Sequence, residues 1–499
     1  MIYDYIETLI SYSIKHNLIE ESDRVYFKNR IIAFLNLDVL ESGKDLNLGL
    51  EDIINGFCDY AILHNMINDN ITERDIFDTE LMGILTKRPS EVIKEFNELY
   101  KIDPIKATDY FYKYSIDTNY IRKYRIDRDL KWDRRNSKYG RIDITINLSK
   151  PEKDPKEIAK AKLMPKSNYP ICLLCKENEG YKGRLNHPAR SNIRLIPVKL
   201  EGEDFLMQYS PYSYYNEHAI ILSSDHHPMI IDKMAIKKLL DFVTIFPHYF
   251  IGSNADLPIV GGSILAHEHF QGGRYRFAME DAKCAYKFTI KKYPNIRAQL
   301  IKWPLSVIRI ASFDKDELAE CFNDILNFWI NYSDEEIGII SHTNGERHNT
   351  ITPIARINDD GLYELDLTLR NNRTSDEYPL GIYHPHPEYH HIKKENIGLI
   401  EVMGLAILPS RLKDELKEVK YCLLNDTDPM ENEVLVKHAP WINHMKKMFK
   451  VNSDNVDKIL EDEIARIFIN LLEDCGVYKQ TTLGINHFKM FTDKLNEII

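Results

Sequence analysis

The sequence is poor in the features that mark secreted, membrane-spanning or nucleic-acid-coating proteins. Cysteine is sparse. Seven among 499 residues, odd in number and scattered, argue against a disulfide framework and for a reducing compartment, expected to be the cytoplasm. No apolar run approaches the length of a membrane span. The opening Met1-Ile-Tyr-Asp-Tyr-Ile-Glu lacks the basic-then-apolar order of a secretion signal. Basic residues are in deficit: 65 Lys and Arg against 76 Asp and Glu leave a net charge of −11. A general nucleic-acid surface is therefore not expected, and any phosphate-bearing ligand needs locally gathered basic groups.

Against those absences, 43% apolar and 28% charged residues give an ordinary globular chain, long enough for two to four domains. Residues 1–165 read as helical. Ile6, Leu9, Ile10 and Ile14 keep a 3.6-residue period, and Pro89-Ser90 opens another helix running to Leu99. No catalytic cluster falls there, so the stretch is expected to be an accessory or dimerisation element. Lys150-Pro-Glu-Lys-Asp-Pro-Lys156 reads as a linker.

Chemistry begins at Cys172-Leu-Leu-Cys175. The spacing suits one metal, a redox pair or two buried thiols. Residues 183–197 concentrate Arg184, His187, Arg190, Asn192 and Arg194; an arginine fork there could hold phosphate or uracil, or the run could be a solvated loop. Ala219–Leu222 reads as a short buried strand, followed by Asp225-His226-His227 and a helix from about Asp232, with Ile236, Leu239, Leu240 and Val243 on one face.

The densest stretch is Asp256-Leu-Pro-Ile-Val-Gly261-Gly262-Ser263-Ile-Leu-Ala-His267-Glu268-His269-Phe270-Gln271-Gly272-Gly273. On a β-strand, His267, His269 and Gln271 share a face. Two imidazoles and an amide make a poor core face but a good reactive one, since neutral imidazole is nucleophilic near pH 7. The glycines permit close backbone approach, and Ser263 with the amides of Gly261 and Gly262 are candidate phosphate donors.

Past residue 300, Asp314-Lys-Asp-Glu317 reads as a capping box. Leu318, Phe322, Ile325 and Trp329 follow at helical steps, and Glu364–Leu369 alternates like a half-buried strand. His384-Pro-His386-Pro-Glu388 repeats the earlier histidine pattern 117 positions on, which suggests an internal duplication. Residues 436–499 read as helix, with Leu460, Ile464, Ile467 and Leu471 in step.

The stretch from Asp256 to Gly273 resembles the signature of class II galactose-1-phosphate uridylyltransferases, within the histidine-triad superfamily. A second block, Leu369-Arg370-Asn-Asn-Arg373-Thr374 through His384-Pro-His386-Pro-Glu388 to Glu401-Val-Met-Gly404, resembles the same class. With the cysteine region, the resemblance spans most of 165–435. It implies an α+β fold of two histidine-triad halves, 166–300 with the nucleophile and 301–435, flanked by helical regions 1–165 and 436–499. It also implies a homodimer that uses UDP-glucose and galactose 1-phosphate in galactose breakdown, with neither nucleic acid nor membrane as partner.

In that family the second motif histidine, here His269, attacks the α-phosphorus, and the uridylyl group passes to the second substrate. Gln271 stands where nucleotide hydrolases of the superfamily carry a third histidine; an amide donates hydrogen bonds but shuttles no proton. Smaller class I relatives hold zinc with a C-x-x-C pair, a histidine after an aspartate and the first motif histidine, which points to Cys172, Cys175, His226 and His267; the adjacent His227 is an alternative to His226. His384-Pro-His386-Pro resembles the class I active-site text. Glu388, however, stands where glutamine is wanted, and a carboxylate would repel phosphate. His384 and His386 are therefore expected to bind sugar phosphate, aided by Arg370, Arg373, Lys393 and Lys394, or a second metal, iron or zinc, with Glu388. Glu401 receives no role. The alternatives are a histidine-triad nucleotide phosphorylase or hydrolase, and a non-catalytic UDP-sugar sensor. Hexose preference is not readable from periodicity.

Overall fold

In the computed structural model the described residues are 1–38, 41–149, 168–262 and 264–498; the expected linker at 150–156 and Ser263 lie outside them. The fold is α+β and divides into two units: residues 1–128 with 149–227, and residues 129–148 with 228–499. Among the described residues no helix is long and apolar enough to cross a membrane.

The first unit opens with helices Ile2–Lys15, Arg24–Phe34, Leu50–Leu63, Ile71–Ile84, Pro89–Tyr100 and Pro104–Asp117. Their starts follow local chemistry. Pro89 and Pro104 occupy first-turn positions where no amide donor is required. Asn70 and Asp103 accept hydrogen bonds from the amides of Glu73 and Ile105. Ile6, Leu9 and Ile10 are fully buried. A three-stranded antiparallel meander follows: Ile196–Leu200, Glu203–Tyr209 and Ala219–Ser223. Its first hairpin turns at Glu201 and Gly202, both at positive φ (48° and 82°), the geometry a two-residue turn demands. Phe111 meets Phe96 edge to face at 6.1 Å and Tyr209 at a tilt at 5.2 Å, and the Tyr209 hydroxyl donates to the Thr108 carbonyl. The helices and the meander thus share one core.

The second unit is built on an antiparallel array in the order His269–Gly273, Phe250–Gly252, Asn349–Ile357, Tyr363–Asn371, Val307–Ser312, Arg297–Ile301, Cys284–Phe288. Helices Lys233–Ile245 and Lys315–Asn331 pack on it, with Trp329 donating its indole N–H to the Thr350 carbonyl. Asp232 and Asp314 cap these helices. The expected box at Asp314 is half right: the cap bonds form, but Glu317 accepts from the Ser312 hydroxyl instead of reaching back to the cap amide. The 436–499 region is helical as read, with helices Ala439–Met448, Val456–Cys475 and Thr482–Ile498.

Two readings need correction. Residues 1–165 are not helical throughout. Leu130–Ser137 and Gly140–Ile146 form a hairpin whose second strand pairs in parallel with Leu405–Leu408. That distant pairing carries residues 129–148 into the second unit. The Glu364–Leu369 strand alternates in sequence, yet both faces are buried. Its polar face meets two arginines: Arg309 grips Asp366 at 2.6 and 2.9 Å, and Arg356 reaches Asp366 and Glu364 at 2.6 and 2.5 Å. Burial alone would push the Asp366 carboxyl up, but the two guanidinium groups outweigh it and hold it below the usual carboxylate value.

Candidate active site

In the first unit, the Cys172 and Cys175 sulfurs lie 3.5 Å apart, and the Cys175 sulfur lies 3.2 Å from His226 Nδ1. Ligands sharing one tetrahedral ion with bonds of about 2.0–2.3 Å sit at such separations, and thiolate plus imidazole is a zinc-type donor set. These residues therefore form a cluster compatible with zinc. The choice between adjacent histidines is made by their partners, since His227 turns to the Ser223 hydroxyl at 3.1 Å. Asn178 organises the cysteine loop: its amide donates to the carbonyls of Cys172 and Cys175, and its oxygen accepts from His187 Nε2 at 2.7 Å. The sequence left the run containing His187 open, as a phosphate or uracil contact or a solvated loop. His187 is instead the second support of the cysteine loop, with its pKa lowered to about 4 by burial and by Arg190 and Arg184.

In the second unit, the strand begins at His269 and holds Gln271 in register with Gly252. His269 and Gln271 share a face, as expected. His267 does not extend that row: it lies in the bend before the strand, buried. Its carbonyl instead takes His269 Nδ1 at 2.8 Å. A carbonyl only accepts, so Nδ1 carries the proton and the lone pair is left on Nε2. Burial pushes the His269 imidazole below its ordinary pKa, the carbonyl bond opposes this, and the His267 ring lowers it further. Near pH 7 His269 is therefore neutral with a fixed tautomer, the form that attacks an electrophile.

Glu268 faces the other way, into helix Lys233–Ile245, where Lys238 meets both carboxylate oxygens at 3.0 and 3.2 Å. Both side chains are at most 7% exposed. The sequence offered little signal for this pair beyond a lysine among Ile236, Leu239 and Leu240.

The motif's leading glycines are explained by the protein's own packing, Gly261 by backbone and Gly262 by the Asn254 side chain. A Cβ on Gly261 would stand 2.4 Å from the Ala255 carbonyl and 2.6 Å from that of Leu257; one on Gly262 would stand 2.6 Å from the Asn254 amide. Asp256 anchors the same loop, accepting from Thr350, Arg347 and the Ile231 amide at 2.6, 2.9 and 3.2 Å. Gly261→Ala should cost about 1–3 kcal/mol, since backbone atoms cannot step aside as a side chain can. A denaturation midpoint equal to that of the unmodified chain would show that the loop yields.

The amino-terminal portion, residues 17–228, matches the profile of the galactose-1-phosphate uridyl transferase N-terminal domain, and residues 242–441 match that of the C-terminal domain. The chain belongs to the galactose-1-phosphate uridylyltransferase family. Relatives bearing the name galactose-1-phosphate uridylyltransferase include those of Clostridium acetobutylicum, 50% identical over 99% of this chain and 100% of theirs, and Caldanaerobacter subterraneus, 48% identical over 98% and 97%. The Bacillus subtilis protein of that name is 46% identical over 99% and 98%. Among solved structures, yeast Ap4A phosphorylase Apa2 gives a TM-score of 0.35 at 10% identity, over 70% of this chain and 95% of that one, too distant a likeness to argue from.

Within this uridylyltransferase chain the remaining expected contacts separate into open and occupied groups. Arg184 lines a cavity of the first unit. Asn192 is buried and spends its amide on the Thr118 carbonyl. Arg370 is buried, donating to the Ile397 carbonyl at 3.0 Å, and Arg373 donates to the Gly338 carbonyl at 2.7 Å. His384 is buried against Asn396 at 3.0 Å, while His386 stacks on Tyr378 and bonds the Ile382 carbonyl. Glu388 is exposed, and among the described residues His384, His386 and Glu388 form no metal-sized group. Their imidazoles are turned to separate protein partners, so the expected second metal centre is not assembled. Lys393 is buried on Glu401 at 3.0 Å rather than free for phosphate.

Proposed function

We propose that this chain exchanges UMP between UDP-glucose and galactose 1-phosphate through a uridylyl group carried on His269. The observation that carries the reading is the Nδ1 bond to the His267 carbonyl, which leaves Nε2 as the basic nitrogen. In the first step the Nε2 lone pair forms a bond to the α-phosphorus of UDP-glucose. The phosphorus–oxygen bond to glucose 1-phosphate breaks, and that phosphate departs with the electron pair. In the second step a phosphate oxygen of galactose 1-phosphate attacks the same phosphorus, and the nitrogen–phosphorus pair returns to Nε2. The leaving oxygen departs as part of a stable phosphate anion and the entering one is already anionic, so no strong acid or base is required. Gln271, on the same strand face, fits a donor to the non-bridging oxygens. Gly261, Gly262, Ser263, Arg184, Asn192, Arg370, Arg373, His384 and His386 are retained as proposed substrate contacts. For Asn192, Arg370 and His384, buried and already bonded, contact would require substrate to displace an existing bond.

Zinc is the proposed ion at Cys172, Cys175 and His226, with the His267 ring as fourth ligand. Bound there, it would fix the residue whose carbonyl orients His269. Replacing Cys175 with serine should remove most of the bound zinc, read by elemental analysis of the purified chain. Full zinc content after that change would dismiss the ligand set. The homodimer and the two-half architecture belong to the same proposal; the latter is supported by the recurrence of a long helix followed by sheet strands after residues 233 and 315.

The decisive experiment incubates the protein with UDP-glucose labelled at the α-phosphate, without acceptor, and maps the labelled peptide. Label on His269 is expected. Free UMP in the absence of acceptor would favour a hydrolase, and binding without any bond to protein would favour a sensor.

A further inference from the structure

The first unit contains a cavity that the reading above does not use beyond Arg184. It is walled by Arg122, Arg125, Arg184 and Arg190, with Asp75, Tyr212 and apolar side chains between them. In a chain of net charge −11, four guanidinium groups around one small space need an account. Two of them have one. Arg125 pairs with Asp75 at 2.7 and 3.2 Å, and Arg122 reaches Asp78 at 2.5 Å and Thr79 at 3.1 Å. Those carboxylates are thereby spoken for.

Arg184 and Arg190 are different. Among the described residues neither has a carboxylate within ion-pair distance, although the charge of Arg190 is felt at Asp75. The Arg184 Nε is enclosed and has no hydrogen-bond partner. Arg190 has the carbonyl of its neighbour Ala189 at 2.9 Å and the face of the Tyr120 ring at 5.8 Å. An enclosed guanidinium N–H without an acceptor is costly and uncommon in folded proteins. The positive field here also reaches His187, whose protonation both arginines oppose. The cavity holds about 120 Å³, roughly four waters at about 30 Å³ each. That is room enough for a phosphate group.

We infer that the Arg184–Arg190 cavity binds a phosphate group. Planar guanidinium forks match phosphate oxygens in pairs, and the apolar walls Ile71, Ile76, Leu185 and Pro188 shield the contact from water. The phosphate has two sources: a phosphate of one of the two substrates, or a free phosphate or phosphorylated metabolite acting apart from turnover. Only the first source rests on the proposed transfer reaction.

The test uses the full chain, with inorganic phosphate and UDP as probes in titration calorimetry, and compares Arg190→Gln with Arg190→Lys. Arg190 is half-buried and exposed enough to be replaced without opening a core. Loss of affinity for either probe of at least tenfold in Arg190→Gln, partly restored in Arg190→Lys, supports the site. If the KM for UDP-glucose or galactose 1-phosphate rises in parallel, the phosphate is a substrate's. If both KM values stay put, the ligand is separate. Unchanged probe affinity together with unchanged KM values overturns the inference, and leaves the His269 mechanism standing, because probe binding is read without turnover.

Discussion

Replacing His269 with alanine will abolish uridylyl transfer while leaving UDP-glucose binding measurable. The side chain supplies the atom that bonds to phosphorus, so its loss removes both half-reactions rather than slowing one. Deletion of a covalent nucleophile elsewhere lowers turnover by about 10⁶-fold, and the same order is expected here. The binding groups of the substrate remain, so affinity should change far less. Gln271→Ala gives the scale for comparison: losing one hydrogen-bond donor to developing charge costs on the order of 10²–10³ in rate, well short of the nucleophile's loss. Transfer by His269→Ala at more than a hundredth of the normal rate would place the nucleophile elsewhere.

Breaking the Lys238–Glu268 pair is expected to have the second largest effect, on stability first. Both groups are almost completely enclosed. Removing one partner leaves a buried charge uncompensated, at about 3–5 kcal/mol. Lys238→Met and Glu268→Gln should each show this fall in a denaturant titration. Changing both together, Lys238→Met with Glu268→Leu, should recover the larger part, because apolar groups of similar size replace a buried ion pair nearly neutrally. The function of the pair then shows separately. Glu268 sits between the two motif histidines and faces the opposite side of the chain, so its tether to the helix is expected to fix the direction of His269. The double variant should fold, bind UDP-glucose with little change in KM, and turn over more slowly. Additive losses in the three variants, with no coupling between the sites, would show that the pair is not an interacting unit.

Several features were readable in advance because their causes are local. The helices that start at Pro89, Asp232 and Asp314 announced themselves by proline and by side chains able to accept from first-turn amides. The strand Ala219–Ser223 followed from its apolar run. The hairpin at 130–146 was missed although its marks are local, a turn at Gly140 with φ of 92° and the alternating Ile142, Ile144 and Ile146; what carries no nearby mark is its pairing with Leu405–Leu408, more than 250 positions away. The alternation in Glu364–Leu369 was real, but alternation reports which side chains share a face and not what covers that face. Arg309 and Arg356 cover it.

By itself, then, the sequence pointed to the proposed reactive group. A nucleophilic imidazole with an amide two places on needs only a strand's repeat to share a face, and that repeat is a property of neighbouring residues. What the tertiary structure decided is the surroundings: the bend that turns the His267 carbonyl onto His269, the meeting of His226 with cysteines some fifty positions earlier, the enclosure of Lys238 with Glu268, and the enclosed Arg184 Nε with no acceptor beside one cavity. All but the first depend on segments apart in the chain that become neighbours only on folding, and the shorter-range order of a sequence carries no record of that distance.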